Sequence, residues 1–396
     1  MGDIVTKERI FTRNFWFAFV ASFSLAMQMY CLSTTITEYA QTFGATELIA
    51  GTISGIYYIA GISLRLWSGY GMNRYGWKRV AVVGIIFHAL TCFGYFLVNS
   101  TWALLIVRFL HGIGFGLSAS ATAAIGMSIL PKSRHGEASG YMMVSMTLAV
   151  ALGPYVGGIL YDAFGAMGCF VFAQVLCVLT LICTLCVNLE GIVPKEGFPL
   201  EAQKKGRGLR SFLEPAAIPI GICAMLIVIG YTSLMSFYRI YAAKIGMEQE
   251  FRNFFLIYAG VLLVSRPTAG KIQDRYGPGG ICVVGVLTQT VGLILVALRP
   301  CLLTIVLCAI FTALGNGSVT SVLASVSCRD VTIERHTYGI GTYWAVTDVG
   351  TGFGPLILGA VVTASGSYPV MYLTAAVITF AALFVYLGAT RRKKKN

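Results

Sequence analysis

The 396-residue chain is 57% hydrophobic and only 11% charged, with a mean hydropathy of +0.77. That is more apolar surface than a soluble fold of this length can hide, so the chain belongs in a bilayer. Its net charge of +13 does not mark a nucleic-acid binder, because the basic residues lie between apolar runs, where they carry topology, and no basic patch with interleaved aromatics occurs.

Residues 1–13 carry Lys7, Arg9 and Arg13 and lead into about 22 apolar residues, longer than the roughly 7–15 of a signal-peptide core, so the first segment reads as a retained span. Apolar runs of spanning length fall near 15–37, 48–71, 79–99, 102–128, 137–162, 165–189, 214–240, 252–272, 279–299, 301–328, 337–364 and 367–389. The expected fold class is therefore an all-α integral membrane protein with twelve transmembrane helices. The polar stretch Glu190 to Ser211, rich in Lys, Gly and Pro, reads as a linker. It divides the chain into a first six-helix half at 1–189, a linker at 190–213, a second half at 214–390 and a basic tail at 391–396.

With the connections assigned alternately to two faces, 22 of the 29 Lys and Arg fall on one face, and Lys244, Arg252 and Arg299 on the other. Both termini are thereby expected in the cytoplasm, and the chain in the cell membrane. Four arginines remain within the spans: Arg65, Arg108, Arg239 and Arg266. The cysteines, among them Cys92, Cys177, Cys183, Cys223 and Cys308, lie mostly inside apolar runs without metal-ligand spacing. They read as small core residues, and neither disulfide, metal nor cofactor is expected.

The chain repeats itself. Arg65 to Gly76, RLWSGYGMNRYG, returns as Arg266 to Gly277, RPTAGKIQDRYG, an offset of 201 residues. Without a gap, the same offset carries Gly84 onto Gly285, Gly114 and Gly116 onto Gly315 and Gly317, Arg134-His135 onto Arg335-His336, and Gly153-Pro154 onto Gly354-Pro355. Two structural copies in one chain, with a substrate site between them, are a transporter pattern. Positions where the copies differ in charge form the functional shortlist.

At these motifs the chain resembles the major facilitator superfamily. Gly69 to Arg79 is similar to its loop signature after helix 2, Arg108 with Gly112, Gly114 and Gly116 to its helix 4 signature, and GPYVGG at Gly153 to Gly158 to a motif of proton-driven drug antiporters. The resemblance implies two six-helix halves rocking about a central cavity. Without a side chain at Gly153 or a backbone donor at Pro154, this stretch suits close helix approach and bending, with plain packing as the alternative. It departs at the loop's usual aspartate, which is Asn73 in the first copy and Asp274 in the second. An acid there gains from the positive end of a helix dipole, so Asn73 is expected to weaken the outward-facing latch. Arg74 and Arg275 belong to the same switch, although Arg74, with Lys78 and Arg79, serves equally as an ordinary positive-inside anchor.

Asp348 lies about 16 Å into predicted helix 11, near mid-depth, and its register mate is Thr147. A charge there costs about 2.5–3.5 kcal/mol or more, which suits a proton-carrying group; a packing hydrogen bond is the alternative. Arg108, whose mate is Ala309, is implied by the resemblance to influence proton movement or bind an anionic group, against a static tether to neighbouring carbonyls. Glu38 and Arg239 are register mates of opposite charge at the outer tips of helices 1 and 7, where an ion pair would close the outside; two solvated charges are the alternative. Gln28, Tyr231 and Asn316 fall on helices that line the family's cavity, and His111 is a further candidate, with helix packing as the alternative for each.

The expected function is secondary transport of a small organic molecule by alternating access, as proton-coupled export. Uptake or facilitated movement of an organic anion or other metabolite is the alternative. No nucleotide loop, nucleophile with a base, or soluble catalytic domain supports an enzyme or sensor. The expected partners are the substrate, protons and the bilayer, with the chain acting as a monomer.

Overall fold

The computed structural model describes residues 9–131, 134–190, 214–327 and 336–393, almost entirely as helix. In chain order these are α1 (Arg13–Gln41), α2 (Glu47–Tyr75), α3 (Trp77–Phe93) and α4 (Thr101–Ser128). A helical stretch His135–Cys186 follows, 52 residues long. At 1.5 Å per residue that is about 78 Å, more than twice the hydrocarbon thickness of a bilayer. It breaks at Gly165, whose φ of 64° and ψ of −163° are not helical, into α5 (135–164) and α6 (166–186). The second half holds α7 (Ile218–Ile245), α8 (Phe254–Tyr276), α9 (Gly279–Leu298), α10 (Leu302–Ser327), α11 (His336–Ser365) and α12 (Tyr368–Lys393). Eleven stretches among the described residues are long and apolar enough to cross a membrane. With the broken one counted as two spans, the expected twelve are there. The linker expected at 190–213 lies outside the described residues beyond Glu190.

Local chemistry sets the helix ends. Thr12, Thr46 and Ser100 use their hydroxyls to accept the amides of Phe15, Ile49 and Ala103, groups that a helix start otherwise leaves open. The helices α2 and α8 both stop at a glycine of positive φ, Gly76 (90°) and Gly277 (80°). A side chain is strained in that conformation, so the repeated Arg-Tyr-Gly marks the same sharp exit in both copies. Besides the break at Gly165, two departures from unbroken spans stand out among the described residues. A short helix, Glu248–Arg252, precedes α8, and residues Ala313–Val319 of α10 form a π-helical turn around Gly315, Asn316 and Gly317.

Because lipid is as apolar as the side chains, helices hold together through close approach of small residues. A Cβ on Gly153 or Gly157 of α5 would overlap Tyr30 or Cys31 of α1, and one on Gly112 or Gly116 of α4 would overlap the carbonyls of Tyr57 or Gly61 of α2. Large apolar side chains such as Leu97, Trp102 and Val264 stay exposed on the outside of the bundle, which suits hydrocarbon surroundings. The two halves meet along α2 with α11, α5 with α8, and α1 with α7.

Candidate functional site

Outer and inner denote the two membrane faces as the Lys and Arg distribution assigns them. The deepest polar contacts between the halves come in two copies. Arg65 of α2 forms an ion pair with Asp348 of α11 through Nη1 and Oδ2. Arg266 of α8 donates from Nη1 to the hydroxyl of Thr147 on α5 at 2.9 Å. Arg65 and Arg266 are register mates, and so are Asp348 and Thr147. The arginines stand about 15 Å, and their partners about 18 Å, from the inner ends of their helices at 1.5 Å per residue. One contact is thus the two-fold image of the other, with an acid in the first and a neutral hydroxyl in the second. The Arg65 and Asp348 side chains are 30% and 17% exposed, so the pair is only partly buried.

Tyrosines gather at this level. Tyr58 of α2 shares a hydrogen bond with Ser33 at 3.2 Å. Tyr231 of α7 stacks on Tyr258 of α8, with ring centroids 5.6 Å apart and planes at 24°. Asn316, on the π-helical turn, donates its amide to the Tyr258 hydroxyl at 3.1 Å. That turn exposes backbone to side-chain capping: Thr320 donates to the Asn316 carbonyl and Ser318 to that of Ala313. Tyr30 of α1 packs against the cluster that holds Tyr231 and Tyr258. The Tyr231 hydroxyl and the Asn316 carbonyl oxygen, both buried, have no hydrogen-bond partner among the described residues.

Gln28 and His111 sit elsewhere. Both are fully buried inside the first half, where the Gln28 amide nitrogen lies 2.9 Å from His88 Nε2 and 2.8 Å from His111 Nε2. The Cys177 thiol donates to Gln28 Oε1 at 2.9 Å. One tautomer set satisfies the group: Gln28 donates to both Nε2 atoms, His88 Nδ1–H donates to the His111 carbonyl and His111 Nδ1–H to the Tyr95 hydroxyl. The imidazoles stack at 4.1 Å. His88, His111 and Cys177 bring three possible metal ligands within 4.8 Å of one another, a proximity that sequence spacing does not announce, but the Gln28 amide fills the point where they converge. Expected to line the cavity, Gln28 and His111 instead tie α1, α3, α4 and α6 together from within.

Arg108 is also fully buried in this half. It donates to Tyr95 at 3.3 Å and lies 4.4 Å above the Tyr57 ring, a cation–π contact. Its Nε and Nη2 have no partner among the described residues, so its charge meets aromatic faces in place of a carboxylate.

On the outer side the halves are closed. Arg239 joins Glu38 through Nε–Oε2 and Asp162 through Nη2–Oδ1, both at 2.7 Å, and lies over the Tyr161 ring. Lys244 reaches Glu47 at 3.3 Å. Between these tips and the central level, Thr37 donates to the Ser236 carbonyl at 2.6 Å, and the Ser54 and Ser236 hydroxyls meet at 3.0 Å. Backbones touch here as well: a Cβ on Gly51 or Gly55 of α2 would overlap the carbonyl of Pro355 or Gly352 on α11. At the inner loops, Arg74 and Arg275 lie over the adjacent rings of Tyr75 and Tyr276, at 5.6 and 5.3 Å. The side chains of Asn73 and Asp274 lie outside the described residues. Residue patterns picked out Asp348, Glu38 and Arg239, but not Asp162, His88, Cys177 or Tyr258. The register was the available signal for Arg65 and Thr147, the mates of residues already singled out.

The model of the Major Facilitator Superfamily matches residues 18–327 and 220–396. An uncharacterised MFS-type transporter of Methanocaldococcus jannaschii is 25% identical over 354 residues, 88% of this chain and 90% of that protein. The multidrug resistance protein MdtG of Rahnella sp. is 25% identical over 393 residues, covering 96% of this chain and 94% of MdtG. Among solved structures, a POT family transporter crystallised with a thioalcohol-conjugated peptide superposes with a TM-score of 0.79 at 13% identity, covering 96% of each chain.

Proposed function

Since the chain belongs to the Major Facilitator Superfamily and moves small molecules across a membrane, we propose that it exports an organic substrate from the cell in exchange for protons, by alternating access. Its similarity to a multidrug resistance protein favours export. The observation that carries the coupling is the Arg65–Asp348 pair, the copy of the duplicated central contact in which an acid faces the arginine. When a proton adds to the Asp348 carboxylate, the pair loses its Coulomb attraction and keeps only a hydrogen bond, so α2 and α11 become free to part. When the proton leaves, the attraction returns. Glu38, Arg239 and Asp162 act as the outer latch that this cycle opens and closes. Both termini face the cytoplasm, and one chain is the working unit.

The test is proton movement in proteoliposomes on substrate addition, wild type against Asp348→Asn. The substitution keeps the shape and one acceptor for Arg65 but cannot titrate. Loss of substrate-evoked proton flux in the variant is expected; unchanged flux sinks the assignment of Asp348. A second reading, uptake or facilitated movement of an organic anion, draws on Arg266, whose partners are a hydroxyl and the Gly317 carbonyl. Substrate movement without proton flux, or protons travelling with the substrate, selects that reading.

A further inference from the structure

The duplicated central contact is complete in one copy and incomplete in the other. Arg65 has its anion built in, as Asp348. Arg266 occupies the equivalent place in the second copy, and there Thr147 offers only a hydroxyl, at 2.9 Å, and Gly317 a carbonyl at 3.4 Å. A guanidinium does not deprotonate in a protein, and a charge at membrane depth is stabilised by an opposite charge or by water. No ion pair to Arg266 occurs among the described residues, so this level carries one positive charge more than the Arg65–Asp348 pair balances.

What surrounds Arg266 is aromatic and has hydrogen-bonding capacity left over. Gly317, whose carbonyl accepts from Arg266, adjoins Asn316, which is bonded to Tyr258; Tyr231 presents its ring stacked on Tyr258, and Tyr30 packs against the cluster that holds both. The Tyr231 hydroxyl and the Asn316 carbonyl oxygen are unpartnered among the described residues, although each residue is only 8% exposed. Buried polar atoms are nearly always satisfied, and a pair left open beside an unneutralised arginine suits a ligand that completes them. The hydroxyl can donate to an anion, and the ring faces offer the flat contact that an aromatic group takes.

We propose that Arg266 holds the anionic group of the transported molecule, an aromatic carboxylate or sulfonate, whose ring lies against Tyr30, Tyr231 and Tyr258. The substrate's anion then stands where Asp348 stands in the other copy, and binding completes the two-fold pattern. The inference rests on the transport reading but on neither direction of transport.

Equilibrium binding to the full chain in lipid nanodiscs at fixed pH tests it, with empty nanodiscs subtracted. The probes share one ring system: 2-naphthoate, its uncharged amide and 2-naphthylmethylammonium. The carboxylate should bind at least tenfold more tightly than either of the others. Arg266→Gln should abolish that preference, and Arg266→Lys should restore part of it. Thr147→Asp supplies Arg266 with an internal carboxylate, as Asp348 does for Arg65, and should suppress naphthoate binding while the thermal midpoint is kept or raised. A preference for the ammonium, no preference for the carboxylate, or naphthoate binding indifferent to both Arg266→Gln and Thr147→Asp overturns the proposal. Because no gradient is imposed, these outcomes are separate from the proton-flux result, which tests coupling at Asp348.

Discussion

The closed outer side depends on a backbone contact that one methyl group should disrupt. Gly55 of α2 faces the carbonyl of Gly352 on α11 so closely that a Cβ at position 55 would overlap it. A carbonyl in a helix cannot rotate away as a side chain can, so Gly55→Ala must push the two helices apart. Overpacking of this kind costs about 1–3 kcal/mol, and the cost falls only on the state in which these helices touch. The ratio of outside-open to outside-closed protein should therefore rise by about 5- to 150-fold. Ser236 is a suitable reporter, being 3% exposed and bonded to Ser54 across the closed contact. A Ser236→Cys variant, treated from outside with a membrane-impermeant maleimide, should label faster by that factor when Gly55→Ala is added. The parent lacking Ser236→Cys supplies the blank. Gly260→Ala, whose Cβ would meet open space, should leave the rate alone. An unchanged rate in Gly55→Ala would refute the idea that this contact limits opening.

Two further outcomes follow from the same geometry. Reversing the outer latch one residue at a time, Glu38→Arg or Arg239→Glu, should speed labelling at Ser236→Cys, and the double reversal should slow it again; failure to recover would mean that Arg239 holds the gate through Asp162 alone. Gln28→Leu strands two imidazole nitrogens and a thiol inside the first half, at about 1–3 kcal/mol for each stranded group. The thermal midpoint should fall while binding between the halves changes little, and a midpoint equal to wild type would show that the buried histidines find other partners.

Much of the architecture was legible because it is written twice. The register of 201 residues pairs Gly76 with Gly277, and both prove to be positive-φ helix exits. Glu38 and Arg239 differ in charge at equivalent tips, and they meet. The partner of Asp348 was harder to find, because Arg65 lies 283 residues away and the choice among four membrane arginines depends on which helix faces which. Gln28 and His111 misled for a related reason. α1 does face the second half, but a helix has several sides, and Gln28 points to the side that meets His88 of α3, His111 of α4 and Cys177 of α6. The π-helical turn at Asn316 escaped notice because its hydrophobic pattern is that of an ordinary helix. The extra residue is absorbed by glycines on either side and by hydroxyls that cap the displaced carbonyls.

The corner at Gly165 joins α5 to α6 with a single non-helical residue. α5 is the helix whose Asp162 and Thr147 touch the second half, whereas α6 carries Cys177, bonded to Gln28 inside the first half. With no loop to take up slack, a tilt of α5 would swing α6 with it, as a crank turns its arm. The corner itself is apolar, with Phe164 69% and Met167 53% exposed to the surroundings. Apolar side chains turned outward at a helix corner suit the edge of the hydrocarbon, where a change in bilayer thickness would bear on both helices at once.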